Sequence, residues 1–198
     1  VELGAKVVVI DNFLTGKSEN LNNIKDDIEV IVGDISEYGQ VDKAVEGCDY
    51  VFNLAALISV PYSFKNPESF IDTNVKGLIN VIRAYKQNKK KIKKIIQISS
   101  SEVYGNTISS KIKVLSENLK LRSESPYAAS KIAADYLAIT SYRSDDTPIV
   151  VARPFNTFGP RQSLRAVIPT IITQLIKSNN KKIRIGNVNS SRDFVYVK

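Results

Sequence analysis

Residues 125–137 read SPYAASKIAADYL, which sets Tyr127 and Lys131 one helical turn apart. Positions i and i+4 share a helix face. An ammonium there favours the ionised form of a neighbouring phenol, and a phenol so tuned can take a proton from an alcohol. Spacing alone decides nothing in a chain with 9 Tyr and a large stock of lysines: Tyr85 and Lys89, in AYKQNKKK, stand equally far apart. That second pair falls at a helix end inside a lysine run, where cations complement the dipole, and is expected at the surface. Tyr127 instead opens a helix behind Ser125 and Pro126, and the run SSSE at 99–102 precedes it. Ser100 is placed to hydrogen-bond the same alcohol. Glu102 offers a carboxylate for proton removal, or a salt bridge to one of the lysines.

The elements that must hold these residues follow from short apolar runs alternating with helical patterns. KVVVID (6–11), IEVIVGD (28–34), DYVFNLAA (49–56), KKIIQISS (93–100) and TPIVVARP (147–154) read as buried strands, with KKIRIG (181–186) a weaker sixth. Helices are expected over 36–46, 67–87, 126–143 and 166–178. Asn66 with Pro67, and Ser125 with Pro126, mark two of the starts. Strand alternating with helix, without hairpin signals, argues for an α/β fold: a doubly wound parallel sheet of the Rossmann type. Its first domain is expected over 1–155, and 156–198 begins a smaller substrate lobe interleaved with the sheet. Ligands bind such sheets at the carboxyl ends of strands. There the sequence places Asp11, Asp34, Asn53, residues 99–102 and residues 153–156.

Composition narrows the chemistry. The chain has 198 residues, no His and a single Cys, Cys48. Common zinc sites and Ser-His or Cys-His nucleophiles are excluded, no metal is expected, and no internal disulfide can form, which points to a reducing, cytoplasmic setting. The net charge of +8 suits an anionic partner. The lysine run at 86–94 lacks the aromatic interleaving of a nucleic-acid surface and reads as a solvated helix end. No stretch approaches the ~18 apolar residues of a membrane span. The lack of any Met, the opening inside folded-looking sequence and the closing inside an apolar run predict a fragment.

An acid closing a strand of a dinucleotide fold accepts hydrogen bonds from ribose hydroxyls and repels a 2′-phosphate. Asp11 therefore favours NAD over NADP. Asp34 with Ile35 can hold the adenine, or Asp34 can simply cap the helix that follows.

The motifs NLAA (53–56), DTNVKG (72–77), SSSEVYG (99–105), YAASK (127–131), RPFNTFGPRQ (153–162) and RDFVYV (192–197), in this order, resemble the extended short-chain dehydrogenase/reductase superfamily. Within it the chain is similar to NAD-dependent nucleotide-sugar 4,6-dehydratases and 4-epimerases. FNTFGPRQSLRAVIPTIITQ looks most like the branch acting on GDP-N-acetylglucosamine in legionaminic acid pathways. The family's Gly-rich loop is not among residues 1–198, so the resemblance implies a piece lacking that loop and the C-terminal part, and one that does not turn over alone.

The resemblance implies roles. Tyr127 is the base, tuned by Lys131, and Ser100 orients the sugar hydroxyl. Glu102 removes the C5 proton, and Ser101 stands where many dehydratases have Asp to protonate the leaving hydroxyl. NAD would be held by Asp11, Asn12, Asp34, Ile35, Leu54, Ala55, Ala56, Asn74, Ser99, Tyr127, Lys131 and Pro154. The nucleotide sugar would be held by Ser100, Asn156, Arg161 and Arg192, with Arg153 and Arg165 divided between phosphate contact and surface. A 4-epimerase needs no acid at position 101, so that reaction stands as the alternative. A non-catalytic NAD-binding scaffold or sensor would need neither Tyr127 nor Lys131. A homodimer through the helices at 67–87 and 126–143 and a place in polysaccharide biosynthesis also follow from the resemblance.

Overall fold

The computed structural model describes residues 1–88, 92–106, 114–177, 182–189 and 191–198. The chain divides into two compact units, Val1–Arg153 and Pro154–Lys198. In the first, β1 (Val7–Asp11) pairs with β2 (Ile28–Val32), and β3 (Tyr50–Asn53), β4 (Lys94–Ile98) and β5 (Ile149–Ala152) form a second sheet in the order β3-β4-β5. Every pairing is parallel, with Val7 opposite Ile28, Val51 opposite Ile95 and Ile95 opposite Ile149. β1 and β3 end on Asp11 and Asn53, and β2, β4 and β5 stop one or two residues before Asp34, Ser99 and Arg153.

The helices are α1 (Tyr38–Val45), the single turn α2 (Val60–Ser63), α3 (Pro67–Phe70), α4 (Gly77–Gln87) and α5 (Pro126–Asp145). One core joins them to the sheets: Val41, Leu78, Val81, Ala84, Ala134 and Ala138 pack with Ile95 and Ile149, and Ile10, Val51 and Val151 pack against that cluster. Tyr50 and Phe52 of β3 and Val150 of β5, alternating with the inward residues, are exposed. A strand's side chains alternate between faces, so α4 and α5 cover one face of β3-β4-β5, while α1 packs on α4 and β1.

α3 and α4 are one rod interrupted by a π turn at Ile71–Lys76. Asn66 caps its start by accepting from Ser69 N, and Pro67 occupies the first turn, where a missing N–H costs nothing. Gly77 follows the π turn, and a Cβ there would stand 2.3 Å from Ile35 Cδ1. Only glycine lets the helix approach so closely. α5 is capped by Ser125, whose hydroxyl accepts from Ala128 N at 3.1 Å, and ends on Asp146 in the left-handed conformation. Several of its buried residues are small (Ala128, Ser130, Ala134, Ala138), so it lies close on the π turn and β5.

The second unit holds β6 (Asn156–Phe158), parallel to β7 (Phe194–Tyr196), and α6 (Val167–Lys177). Phe158 stacks tilted on Tyr196 and edge-on to Phe194. The sixth strand expected at 181–186 does not form over its described residues. Lys and Arg at its start cannot be buried on two faces, and the aromatic run at 194–196 takes the pairing instead.

Candidate active site

β4 delivers Ser99 and Ser100 at its carboxyl end, and a 3-10 turn, Ser101–Tyr104, follows at once. Ser100 holds that turn, because its hydroxyl accepts from Glu102 N at 3.2 Å. α5 then presents Tyr127 and Lys131, 6% and 3% exposed. The Ser100 hydroxyl lies close enough to the Tyr127 phenol to favour its ionised form, and the Glu102 carboxylate lies within electrostatic reach of the same phenol. Ser101 and Glu102 are half-buried beside them. The Phe70 ring stands edge-on to Tyr127 at 6.2 Å and fixes its other side.

Electrostatics correct one expectation. Burial raises the Tyr127 phenol above its ordinary value, the Ser100 hydrogen bond opposes this, and the Glu102 charge adds to it. The expected lowering by Lys131 is not present. The Lys131 ammonium donates instead to the Ile98 carbonyl at 2.9 Å, and burial brings its own pKa down to about 8, with Asp135 pulling the other way. Lysine and phenol share a face, yet the cation is spent on the end of β4.

Asn74 sits in the π turn, 2% exposed, and ties three segments together. Its Oδ1 accepts from Leu57 N (2.9 Å), while its Nδ2 donates to Leu57 O (3.0 Å) and Ser130 Oγ (2.9 Å). Ser130 in turn donates to the Tyr127 carbonyl at 2.7 Å. The segment that begins with Leu54, Ala55 and Ala56 is thereby fixed to the catalytic helix. Leu54 is exposed, whereas Ala55 packs on the core.

At the first sheet, Asp11 Oδ1 accepts from Phe13 N at 2.7 Å, and Phe13 turns the chain with a positive φ of 52°. A Cβ on Gly16 would lie 3.3 Å from Asp11 Oδ2, so glycine keeps that oxygen open. Asn12 donates to Asp34 Oδ2 at 2.8 Å, and Asp34 Oδ1 accepts from Ser36 N at 2.8 Å. Burial raises the Asp34 carboxyl, but hydrogen bonds from Ser36 and Asn12 and the charge of Lys76 outweigh it, and the net shift is downward. Asp34 thus closes a turn at Ser36 and does not cap α1 as foreseen, since the N-cap position of that helix is Glu37, without a side-chain cap. Ile35 is a core residue, packed over Gly77 and accepting from Asn80 Nδ2 at 2.8 Å through its carbonyl. Its side chain is not available to a ligand.

Two further sequence expectations change, and one residue was missed. Tyr85, foreseen at the surface, is buried in the core, and Lys89 lies outside the described residues. Arg153 is neither surface nor open to phosphate through its Nε, which donates to the fully buried Asp135 at 2.8 Å, while its Nη1 donates to Tyr104 Oη at 3.1 Å. Asp135 itself escaped notice, although the repeat of four through Tyr127, Lys131 and Asp135 was visible in the sequence.

Pro154, Asn156, Arg161 and Arg192 belong to the second unit. Within it Asn156 Nδ2 donates to Asp193 O at 3.4 Å, next to Arg192, whose guanidinium reaches the Ser191 carbonyl at 3.0 Å. Arg161 adopts a positive φ of 67°, and Pro154 is exposed. Among the described residues no cluster of His, Cys, Asp or Glu could hold a metal, and no helix is long and apolar enough to cross a membrane.

A parallel α/β sheet with Ser100, Tyr127 and Lys131 at its carboxyl edge defines an extended short-chain dehydrogenase/reductase of the nucleotide-sugar dehydratase and epimerase type. The chain belongs to the GDP-mannose 4,6 dehydratase family, which it matches over residues 1–198. It is 30% identical to a dTDP-glucose 4,6-dehydratase of Mycobacterium tuberculosis, over 96% of this chain and 57% of that protein. It is 32% identical to the low-salt glycan biosynthesis protein Agl12 of Haloferax volcanii, over 96% of this chain and 61% of the relative. Among solved structures, a UDP-N-acetylglucosamine 4-epimerase from Methanobrevibacter ruminantium superposes with a TM-score of 0.86 at 37% identity, covering 97% of this chain and 61% of that one. A dTDP-glucose 4,6-dehydratase from Streptomyces venezuelae with NAD bound superposes with a TM-score of 0.85 at 26% identity, covering 96% and 58%. The chain thus spans less than two thirds of the length of these relatives.

Proposed function

We propose that this chain carries the catalytic machinery of an NAD-dependent nucleotide-sugar 4,6-dehydratase working through a 4-keto sugar. The observation that supports it most is the meeting of the Ser100 hydroxyl, the Tyr127 phenol and the Glu102 carboxylate at one strand end. Bound NAD supplies a hydride acceptor and donor. The residues present fit it: the open oxygen of Asp11 accepts ribose hydroxyls and repels a 2′-phosphate. Lys131 has N–H donors beyond the one given to Ile98. Asn12, Asp34, the backbone from Leu54 to Ala56 and Ser99 are assigned to the same cofactor by the family resemblance.

Tyr127 takes the proton of the sugar C4 hydroxyl, which Ser100 orients. Tyr127 must be ionised to take that proton, and its raised phenol pKa makes the ionised base a minority form at neutral pH. A ketone at C4 acidifies the C5 proton, and Glu102, the carboxylate that acts on the Tyr127 phenol, is assigned to remove it. Water then leaves from C6 with the proton supplied by Glu102, since Ser101 is no acid. Asn156, Arg161 and Arg192 are assigned to the diphosphate, where a planar guanidinium matches phosphate oxygens.

Ser101 also favours a second reading, a 4-epimerase, which needs no leaving-group acid. Two experiments separate them. Incubation with GDP-, UDP- and dTDP-sugars and NAD, read by mass, shows loss of water for a dehydratase and unchanged mass with altered C4 configuration for an epimerase. Glu102→Gln abolishes the mass loss in the first case, and unimpaired water loss in that variant refutes the role of Glu102. The protein is further proposed to be a homodimer, with Ile79, Tyr136 and Tyr142 exposed on α4 and α5. Its free Cys48 suits the cytoplasm, and its products suit polysaccharide biosynthesis.

A further inference from the structure

The most deeply buried charge among the described residues lies one turn beyond the Tyr127–Lys131 pair. Asp135 follows Lys131 by four, as Lys131 follows Tyr127, so three ionisable side chains stack along one face of α5. Asp135 is 0% exposed, and its Oδ2 accepts from Arg153 Nε at 2.8 Å. The guanidinium is held in turn by the Tyr104 hydroxyl and lies 5.3 Å from the centroid of the Tyr104 ring. Asp135 Oδ1 and Ser99 Oγ are both buried and orphaned unless the Ser99 hydrogen rotates onto the carboxylate, the contact that their proximity permits. A buried ion pair of this kind does not stabilise a fold better than apolar side chains of the same volume. Its presence beside the working lysine calls for another account.

We propose that Asp135 is a positioning residue for Lys131: its carboxylate, clamped by Arg153 and one helical turn away, keeps the buried ammonium protonated and seated on the Ile98 carbonyl beside Tyr127. Lys131 is faced on its own helix by Tyr127 and Asp135. The turn Ser101–Tyr104 brings Glu102 and Tyr104, the end of β5 brings Arg153, and the π turn brings the neutral Asn74. Of these charges, Asp135 is the one that acts on Lys131, while Glu102 acts on Tyr127. Burial alone would lower the ammonium's pKa further, and a neutral amine is a poorer donor to a ribose hydroxyl and no aid to a phenolate. The catalytic consequence rests on the function proposed above. The electrostatic one does not.

The test is titration of the Lys131 13Cε resonance, assigned by its loss in Lys131→Arg, in the wild-type chain, in Asp135→Asn and in the paired replacement Asp135→Leu with Arg153→Met. Asp135→Asn is expected to lower the Lys131 midpoint by about one pH unit or more. The paired replacement keeps the interior filled and is expected to lower it too, and it decides the matter if Asp135→Asn does not fold. An unchanged midpoint overturns the proposal. So does a rise towards the value of an exposed lysine, which would mean that Asp135 only held the site shut. In a wild type that turns over a nucleotide sugar, the alkaline limb of the pH profile moves down with the midpoint. A wild type with no turnover on any nucleotide sugar refutes the proposed function and leaves the resonance to decide about Asp135.

Discussion

Replacing Asn74 by Ala removes one side chain and unties three places at once. Leu57 loses a partner for its N–H and for its carbonyl, and Ser130 Oγ loses a donor. Asn74 is 2% exposed, so water does not replace these contacts without opening the structure. Each such bond is worth about 1 kcal/mol net, and a group left buried without a partner costs about 1–3 kcal/mol. The expected loss is therefore about 3 kcal/mol, roughly a hundredfold in the folding equilibrium. Urea unfolding followed by circular dichroism measures it, as a lower midpoint at unchanged slope. Asn74→Asp should cost more, because it sets a buried carboxylate oxygen against the Leu57 carbonyl. A loss below about 0.5 kcal/mol for the alanine variant, within the range of ordinary surface substitutions, would show that Asn74 does not bind the 54–57 segment to α5.

Two further outcomes follow from burial. Lys131 carries its charge at a cost, since its pKa falls from 10.5 to about 8 on folding. At about 1.4 kcal/mol per unit that cost is about 3 kcal/mol, offset by about 1 for the bond to Ile98. The folded state binds fewer protons than the unfolded state between the two values, so the penalty is full below pH ~8 and is relieved as pH rises towards ~10.5. Lys131→Met should accordingly be about 2 kcal/mol more stable than wild type at pH 7, with the gap narrowing by pH 10, and a gap that does not narrow in urea titrations would contradict the linkage. Gly77→Ala drives a methyl into Ile35 and should cost about 1–3 kcal/mol, and Ile35→Val in the same chain should recover part of it. No recovery in the double variant would mean that backbone conformation, not space, holds the glycine.

What the sequence revealed and what it hid divide on physical lines. Strands β1 to β5 were legible because β-branched runs such as VVVID and KIIQI favour strands, although their burial on both faces is not met: β1 is only half-buried and β3 exposes Tyr50 and Phe52. The caps Ser125 and Asn66 announced their helices within two residues. The meeting of Ser100 with Tyr127 was legible because each lies at an element end on one sheet edge. The π turn was not, since no composition marks it and its reason is tertiary: it turns Asn74 inward between Phe70 and Leu78, both fully buried. The Asp135–Arg153 pair was hidden because charge reads as surface until a partner is found across 18 residues. The sign of the Tyr127 shift was hidden for a similar reason, because burial, which no spacing rule contains, outweighs the nearest donor.

The widened turn at Ile71–Lys76 also says where this rod tolerates a change in length. Each residue of a regular helix advances about 100° around the axis, and a π turn absorbs about one residue beyond that winding. Excising one residue within it would let the rod close into a regular spiral with Phe70 and Leu78 keeping their faces, at the cost of the turn that carries Asn74 inward. Excising one from the regular turns of α4 instead would swing the two ends of the rod by about 100°, so that either Tyr85 leaves the core or Phe70 leaves the flank of Tyr127. A single-codon deletion in α4 is therefore far less tolerable than one in the turn before it.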